Sequence, residues 1–193
     1  MRVYHVGDLD LLAGEVTIIA GENRCSEYGR RTAVEYALEL SGKGHTIALV
    51  LGAGVALAAG EALAEESLPY IVTLTSGLSH AVPPHMRRVW EKASLVLAPE
   101  SSGPSTERRR LMAWDLALER CDQVVLVEAR PGESTEQFAW RTIGAGVPLY
   151  AVPGPVDEPT STGPNRLIAT GDAQAITNPN MLARGTGSRA QRG

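Results

Sequence analysis

Six apolar runs of strand length alternate with five segments of helical period, and that alternation limits the folds open to this chain more than any other feature. The runs cover residues 16–20, 46–51, 70–74, 94–98, 124–128 and 149–152; the helical segments cover 30–40, 55–66, 84–92, 107–120 and 135–143. The first run, VTIIA, is β-branched and almost wholly apolar. In the helical segment after it, Ala33, Ala37 and Leu40 fall on one face. Near-continuous apolar strands separated by helices form a parallel sheet covered on both faces, because each crossover lays a helix back onto the sheet. The predicted fold is therefore a Rossmann-like, doubly wound α/β domain with a mostly parallel sheet. Aromatic residues are only 5% of the chain, with a single Phe, so the core rests on Ala, Leu and Val, which suits helices laid closely on a sheet.

The chain is long enough for one domain with short appendages. Residues 1–15 read as a lead-in, 16–183 as the domain, and 184–193, small and polar, as a disordered tail. Cys25 and Cys121 are the only cysteines, too few for a disulfide scaffold and not spaced as a metal CxxC pair. Both are expected to be thiols in a reducing cytoplasm. Neither a signal peptide nor a run of membrane-spanning length is present in the sequence. Metal and serine-hydrolase signatures are missing too: no HExxH, no Cys/His cluster, no nucleophile elbow. No metal and no cofactor is expected.

The net charge is −4, which argues against a cationic, non-specific DNA coat. Only Lys43 and Lys92 are lysines among the 18 basic residues. Arginine forks suit phosphate recognition, although a GC-rich genome gives the same bias.

In an open parallel sheet, ligands settle beyond the carboxyl ends of the strands. The residues after the strands are therefore the candidates. After the first strand, Gly21 permits a tight turn, Arg24 offers a charged fork and Ser26 a hydroxyl. An ordinary turn with Ser26 as helix cap explains the same residues. After the second strand come Gly52 and Gly54, without a full GxGxxG fingerprint and without an acid ending the strand, so they fit close helix packing as well as phosphate binding. Arg108, Arg109 and Arg110 begin a helix, where positive charge opposes the helix dipole and an anionic partner would relieve the cost. Glu128 ends an apolar run and must find a partner or line a cleft. Ser134 and Thr135 cap the next helix or touch a ligand. Asn165, among Pro and Gly turns, either ties the loop to itself or reaches a ligand.

Taken in order, these pieces resemble the DNA-processing protein A (DprA/Smf) family. The likeness begins at Gly7-Asp8-Leu9-Asp10-Leu11-Leu12. It continues through Gly21-Glu22-Asn23-Arg24 and Ser26-x-Tyr28-Gly29, then Ser76-Gly77-Leu78 with Val82-Pro83-Pro84, then Glu128 with Ser134-Thr135. It is most specific at Ala151-Val152-Pro153-Gly154 followed by Gly163-x-Asn165-x-Leu167-Ile168-x-x-Gly171. The resemblance covers roughly residues 5–177. It implies single-stranded DNA bound in an Arg-lined pocket, self-association, and transfer of the strand to a RecA-type recombinase during DNA uptake. It places Arg24 and Ser26 in a phosphate-contacting loop, Arg108 or Arg110 among the family's arginines, and Asn165 in its last motif. The sequence departs from the family at several points: one extra residue separates Gly21 from Arg24, Val82 replaces the usual Tyr, no acid follows the second strand, the R-N-R segment reads Arg-Arg-Arg, and residues around 114–120 look inserted.

A second reading is enzymatic. Within the same superfamily, the LOG-type nucleoside-monophosphate phosphoribohydrolases carry R-K-x-x-M, which Arg108-Arg109-Arg110-Leu111-Met112 resembles, and P-G-G-x-G-T-x-x-E, which residues 131–136 half resemble. In that reading Glu136 stabilises a ribosyl cation and Arg108 orients the phosphate. A third reading is a module that binds a small nucleotide without turnover.

Overall fold

The computed structural model describes residues 3–182. The tail expected from residue 184 lies outside the described residues. Eight strands form one sheet in the order β1-β5-β4-β3-β2-β6-β7-β8. They are β1 (Tyr4–Gly7), β2 (Val16–Ala20), β3 (Thr46–Val50), β4 (Tyr70–Thr73), β5 (Leu95–Ala98), β6 (Gln123–Leu126), β7 (Leu149–Ala151) and β8 (Gln174–Ala175). The helices are α1 (Glu27–Gly42), α2 (Gly54–Glu65), α3 (Arg87–Lys92), α4 (Glu107–Arg120), α5 (Ser134–Gly144) and α6 (Thr162–Thr170). All neighbouring strands run parallel except β1, which pairs antiparallel with β5, Tyr4 opposite Ala98 and Gly7 opposite Leu95. The chain is the doubly wound α/β domain its sequence predicts.

Alternation along each strand divides the core. Ile19, Ile47, Leu49, Tyr70, Val72, Val96 and Val125 face α1, α2 and α3, while Ile18, Ala48, Ile71, Leu95, Leu97, Val124 and Leu126 face α4, α5 and α6. Small residues let the helices approach closely: in α2, Ala58, Ala59 and Gly60 are buried and present a shallow surface to the elements around them. The chain winds outward from β2 through β3 and β4 on one side, and from β6 through β7 on the other. The strand order therefore reverses between β2 and β6, and ligand sites of such sheets form beyond the carboxyl ends at that reversal.

Four elements differ from expectation, one of them the two-residue edge strand β8, which lies outside the six apolar runs. The lead-in carries an edge strand, β1. The segment 84–92 is helical throughout but not uniformly α, opening as a single 3-10 turn at Pro84–Met86 before α3 begins at Arg87. Asn165 sits on a helix, α6, which Gly171 ends in the left-handed conformation at φ 78°. The stretch around 114–120 is the second half of α4, and its Trp114, Leu116, Ala117 and Leu118 are buried against the sheet.

Candidate nucleic-acid interface

The loops that follow β2, β6 and β7 are bonded to one another. Glu128, fully buried just past β6, accepts the Ser26 amide (3.0 Å) and the Thr160 hydroxyl (2.7 Å), and Ser26 Oγ donates to it as well. Ser26 Oγ in turn accepts the Gly29 amide and caps α1. The buried Glu22 carboxylate accepts the Arg130 amide at 2.7 Å, joining the β2 loop to the β6 loop. Tyr28 donates its hydroxyl to the Pro153 carbonyl at 2.8 Å. Asn165 closes the last connection: its amide group donates to the Gly154 carbonyl (3.0 Å) and accepts the Gly154 amide (3.1 Å). These satisfied polar groups, buried at Glu22, Glu128 and Thr160 and half-buried at Ser26, Tyr28 and Asn165, fix the loops before any ligand arrives.

Two glycines allow the close approaches this requires. Gly54 holds φ +59°, and a Cβ there would stand 2.0 Å from the Glu22 carbonyl. A Cβ on Gly21 would lie 2.5–2.9 Å from the side chain of Val55. Both serve loop-on-helix packing.

Above this platform lies a cavity of about 530 Å³, at the carboxyl ends of β2, β3 and β4. Its walls are mostly apolar, with Ile18, Val50, Leu51, Leu74, Val82 and Phe138 among them. Gly52 and Ala53 bring in the start of α2; Ser134 and Thr135 bring in the start of α5. Neither of those helices has a side-chain cap hydrogen bond at its first turn; in α2 the Val55 amide donates to the Glu22 carbonyl at 3.1 Å, and the positive dipole ends of both helices lie beside the cavity. The start of α1 differs, since the Glu128 carboxylate already occupies it.

Five of the candidate residues meet at this cavity: Gly21, Gly52, Arg110, Ser134 and Thr135. Thr135 Oγ1 points back to the Gly21 carbonyl at 3.4 Å. Ser26, Gly54, Glu128 and Asn165 stand behind it, in the bonded platform. Arg24 is exposed on the loop beside Asn23, which lines the cavity, and makes no side-chain hydrogen bond or ion pair among the described residues. Arg108 is also exposed and pairs with Glu100 at 2.9 Å. Arg109 packs down, donating to Glu100 and to the Pro104 carbonyl, so the three consecutive arginines have three different environments. The hydrogen bond from Arg109, aided by Arg108, holds the Glu100 carboxyl below its ordinary pKa. Burial pushes the thiol of Cys25 up, against the lowering influence of Arg30.

Trp114, Phe138, Thr75, His80 and Asn23 also line the cavity and were not candidates from the sequence. Arg110 and Trp114 are four residues apart on α4, so helical spacing was the available signal. The guanidinium of Arg110 lies 5.3 Å from the centre of the Trp114 ring, and that ring meets Phe138 at a 60° tilt. Glu136 points elsewhere: it accepts the Gly132 amide at 2.7 Å and pairs with Arg166.

The model of the DNA recombination-mediator protein A family matches residues 1–186. The chain belongs to this family. DNA recombination-mediator protein A is the family that the Gly21–Gly29 and Ala151–Gly171 motifs resemble. Among solved structures, DNA processing protein A from Streptococcus pneumoniae superposes with a TM-score of 0.83 at 23% identity, over 92% of this chain and 64% of that one. This chain thus spans less than two thirds of the pneumococcal protein. DNA processing protein A from Helicobacter pylori, solved in a study of its single-stranded DNA binding mode, gives 0.82 at 24% identity, over 93% and 83%. The molybdenum cofactor carrier protein of Chlamydomonas reinhardtii is more distant, at 0.60 and 12% identity over 86% and 92%. At these identities the structural likeness establishes a shared fold. No curated protein sequence matches the chain. Among the described residues no helix is long and apolar enough to cross a membrane, and no cluster of His, Cys, Asp or Glu suits a metal ion.

Proposed function

We propose that this chain binds single-stranded DNA at the cavity beyond β2, β3 and β4, and acts in DNA uptake and recombination by presenting the strand to a RecA-type recombinase. The observation that carries this reading is the meeting of Gly21, Gly52, Arg110, Ser134 and Thr135 around one cavity, on loops fixed in advance by Glu128, Glu22 and Asn165. Membership of the family and the DNA-binding Helicobacter pylori relative support it. In this reading backbone phosphates run along the open starts of α2 and α5, with Arg24 and Arg108 at the rim as exposed cations. An apolar cavity flanked by phosphate donors suits a strand whose bases are unpaired; a duplex keeps its bases stacked inside.

The phosphoribohydrolase reading needs Arg108 and Glu136 together at the ligand. Neither lines the cavity, and Glu136 is already engaged by Gly132 and Arg166. A mononucleotide remains the natural competitor ligand, since it carries the same base and phosphate.

Fluorescence anisotropy with a labelled oligothymidine, in single-stranded and duplex form, tests the proposal. Single strands are expected to bind at least tenfold more tightly than duplex, with affinity falling steeply as salt rises. Arg24→Ala combined with Arg108→Ala should weaken binding and reduce the salt slope by about 1.4, about 0.7 for each phosphate left without its arginine. Equal binding of single and double strands, or a double variant with the parent's salt slope, would refute it.

A further inference from the structure

Arg110 stands apart from the other arginines of α4. Arg108 and Arg109 both bond to Glu100. The guanidinium of Arg110 makes no hydrogen bond among the described residues, its Nε is buried without an acceptor, and its nearest carboxylate, on Glu107, is 3.9 Å away and exposed. A buried guanidinium N–H without an acceptor is costly, and a ligand offering paired acceptors to Nε and a neighbouring amino group would relieve it.

The surroundings select which acceptors. Arg110 shares the cavity with Trp114, Phe138, Ile18, Val50 and Leu74, a setting that stabilises the flat face of a base and penalises a phosphate with few other donors. Phosphate donors lie instead at the starts of α2 and α5. Guanine alone among the DNA bases offers two adjacent acceptors, O6 and N7, on its Hoogsteen edge, spaced for an arginine fork, and its purine face covers more of the apolar wall than a pyrimidine. Adenine presents a donor beside N7, which opposes the fork. Ser105, Thr75 and Asn23 also line the cavity and supply oxygen atoms able to accept from the guanine N1 and N2 hydrogens.

We propose that Arg110 reads the O6/N7 edge of one guanine base inserted into the cavity, with Trp114 behind its guanidinium, and does not serve as a phosphate contact. This rests on the single-strand reading above for its source of guanine; free guanosine monophosphate offers the same edge.

The test measures binding of the full chain to an oligothymidine bearing one central substitution. Guanine and hypoxanthine, which share O6 and N7, are expected to tighten binding about tenfold over thymine, and 7-deazaguanine, lacking N7, to lose most of that gain. Arg110→Gln should bring the guanine-to-thymine ratio close to one while the salt slope stays that of the parent; Arg110→Lys, a single point charge, should recover little of the ratio. The proposal is overturned if all central bases bind alike, if cytosine or adenine is preferred, or if Arg110→Gln keeps the ratio and lowers the salt slope by about 0.7. Should no oligonucleotide bind, the single-strand reading fails by itself, and titration with guanosine monophosphate decides the guanine site: Arg110-dependent binding supports it, and no binding overturns it.

Discussion

Glu128 is the residue on which the arrangement of the loops depends most. Its carboxylate is fully buried and accepts from Ser26 twice and from Thr160 once, so truncation leaves both Ser26 donors without this acceptor and Thr160 with Glu158 alone. Glu128→Ala is expected to destabilise the fold by about 3 kcal/mol in urea denaturation, with Glu128→Gln costing less because its carbonyl still accepts. An effect under about 1 kcal/mol would contradict the account of the platform. Gly54→Ala should cost at least about 2 kcal/mol by the same measurement, since the new methyl group meets a carbonyl in a backbone region that disfavours side chains. At this scale the sequence was only half legible. That Glu128 needed a partner or a cleft followed from its apolar flank, and the structure supplies the partner. For Asn165 and Ser26, likewise, side-chain chemistry left loop closure and ligand contact open, and both close loops. Which arginine of the triplet faces the cavity depends on the rotation of α4 about its axis, which three consecutive charges do not specify.

The elements were read more fully than their ends. Each central strand is a continuous apolar run because both faces are covered, and that signal is strong. The strand β1 contains Tyr, His, Val and Gly at an exposed edge and lacks such a run. Helix α6 begins TGPN, residues that suit turns as well as helix starts, and the fixed φ of Pro164 in its first turn fits both. Two tyrosines tie elements together: Tyr36 of α1 donates to the Ile176 carbonyl, and Tyr70 of β4 donates to the Val89 carbonyl of α3 at 2.6 Å. Burial raises both hydroxyls above the ordinary tyrosine pKa, Tyr70 to about 12 and Tyr36 further. Above pH ~10 the unfolded chain releases a phenolic proton that the folded chain keeps, so the tyrosine contribution is complete below pH ~10 and declines as pH rises. Urea denaturation at pH 9 and 11 should show the parent losing about 1 kcal/mol more than Tyr70→Phe. Parallel losses in the two proteins would contradict the linkage.

For the whole molecule, the sheet order brings the loops of β2, β3 and β6 to one edge, and this is why residues over a hundred positions apart in sequence can serve one ligand. In the proposed reading an acidic net charge is no obstacle, because it is the local charge at the site, there Arg110 and the dipole ends of α2 and α5 with exposed Arg24 nearby, that a strand would meet. The family was legible because its motifs are contiguous in sequence, most of all the one running from β7 into α6; the cavity was not, because its walls come from β2, β3, β4, α4 and α5 at once. Trp114 reports on that space directly. In a chain with Trp90→Phe and Trp140→Phe, the remaining indole fluorescence should change saturably as oligothymidine is added, with the midpoint found by anisotropy. Binding by anisotropy with a silent Trp114 would place the strand elsewhere and contradict the central claim.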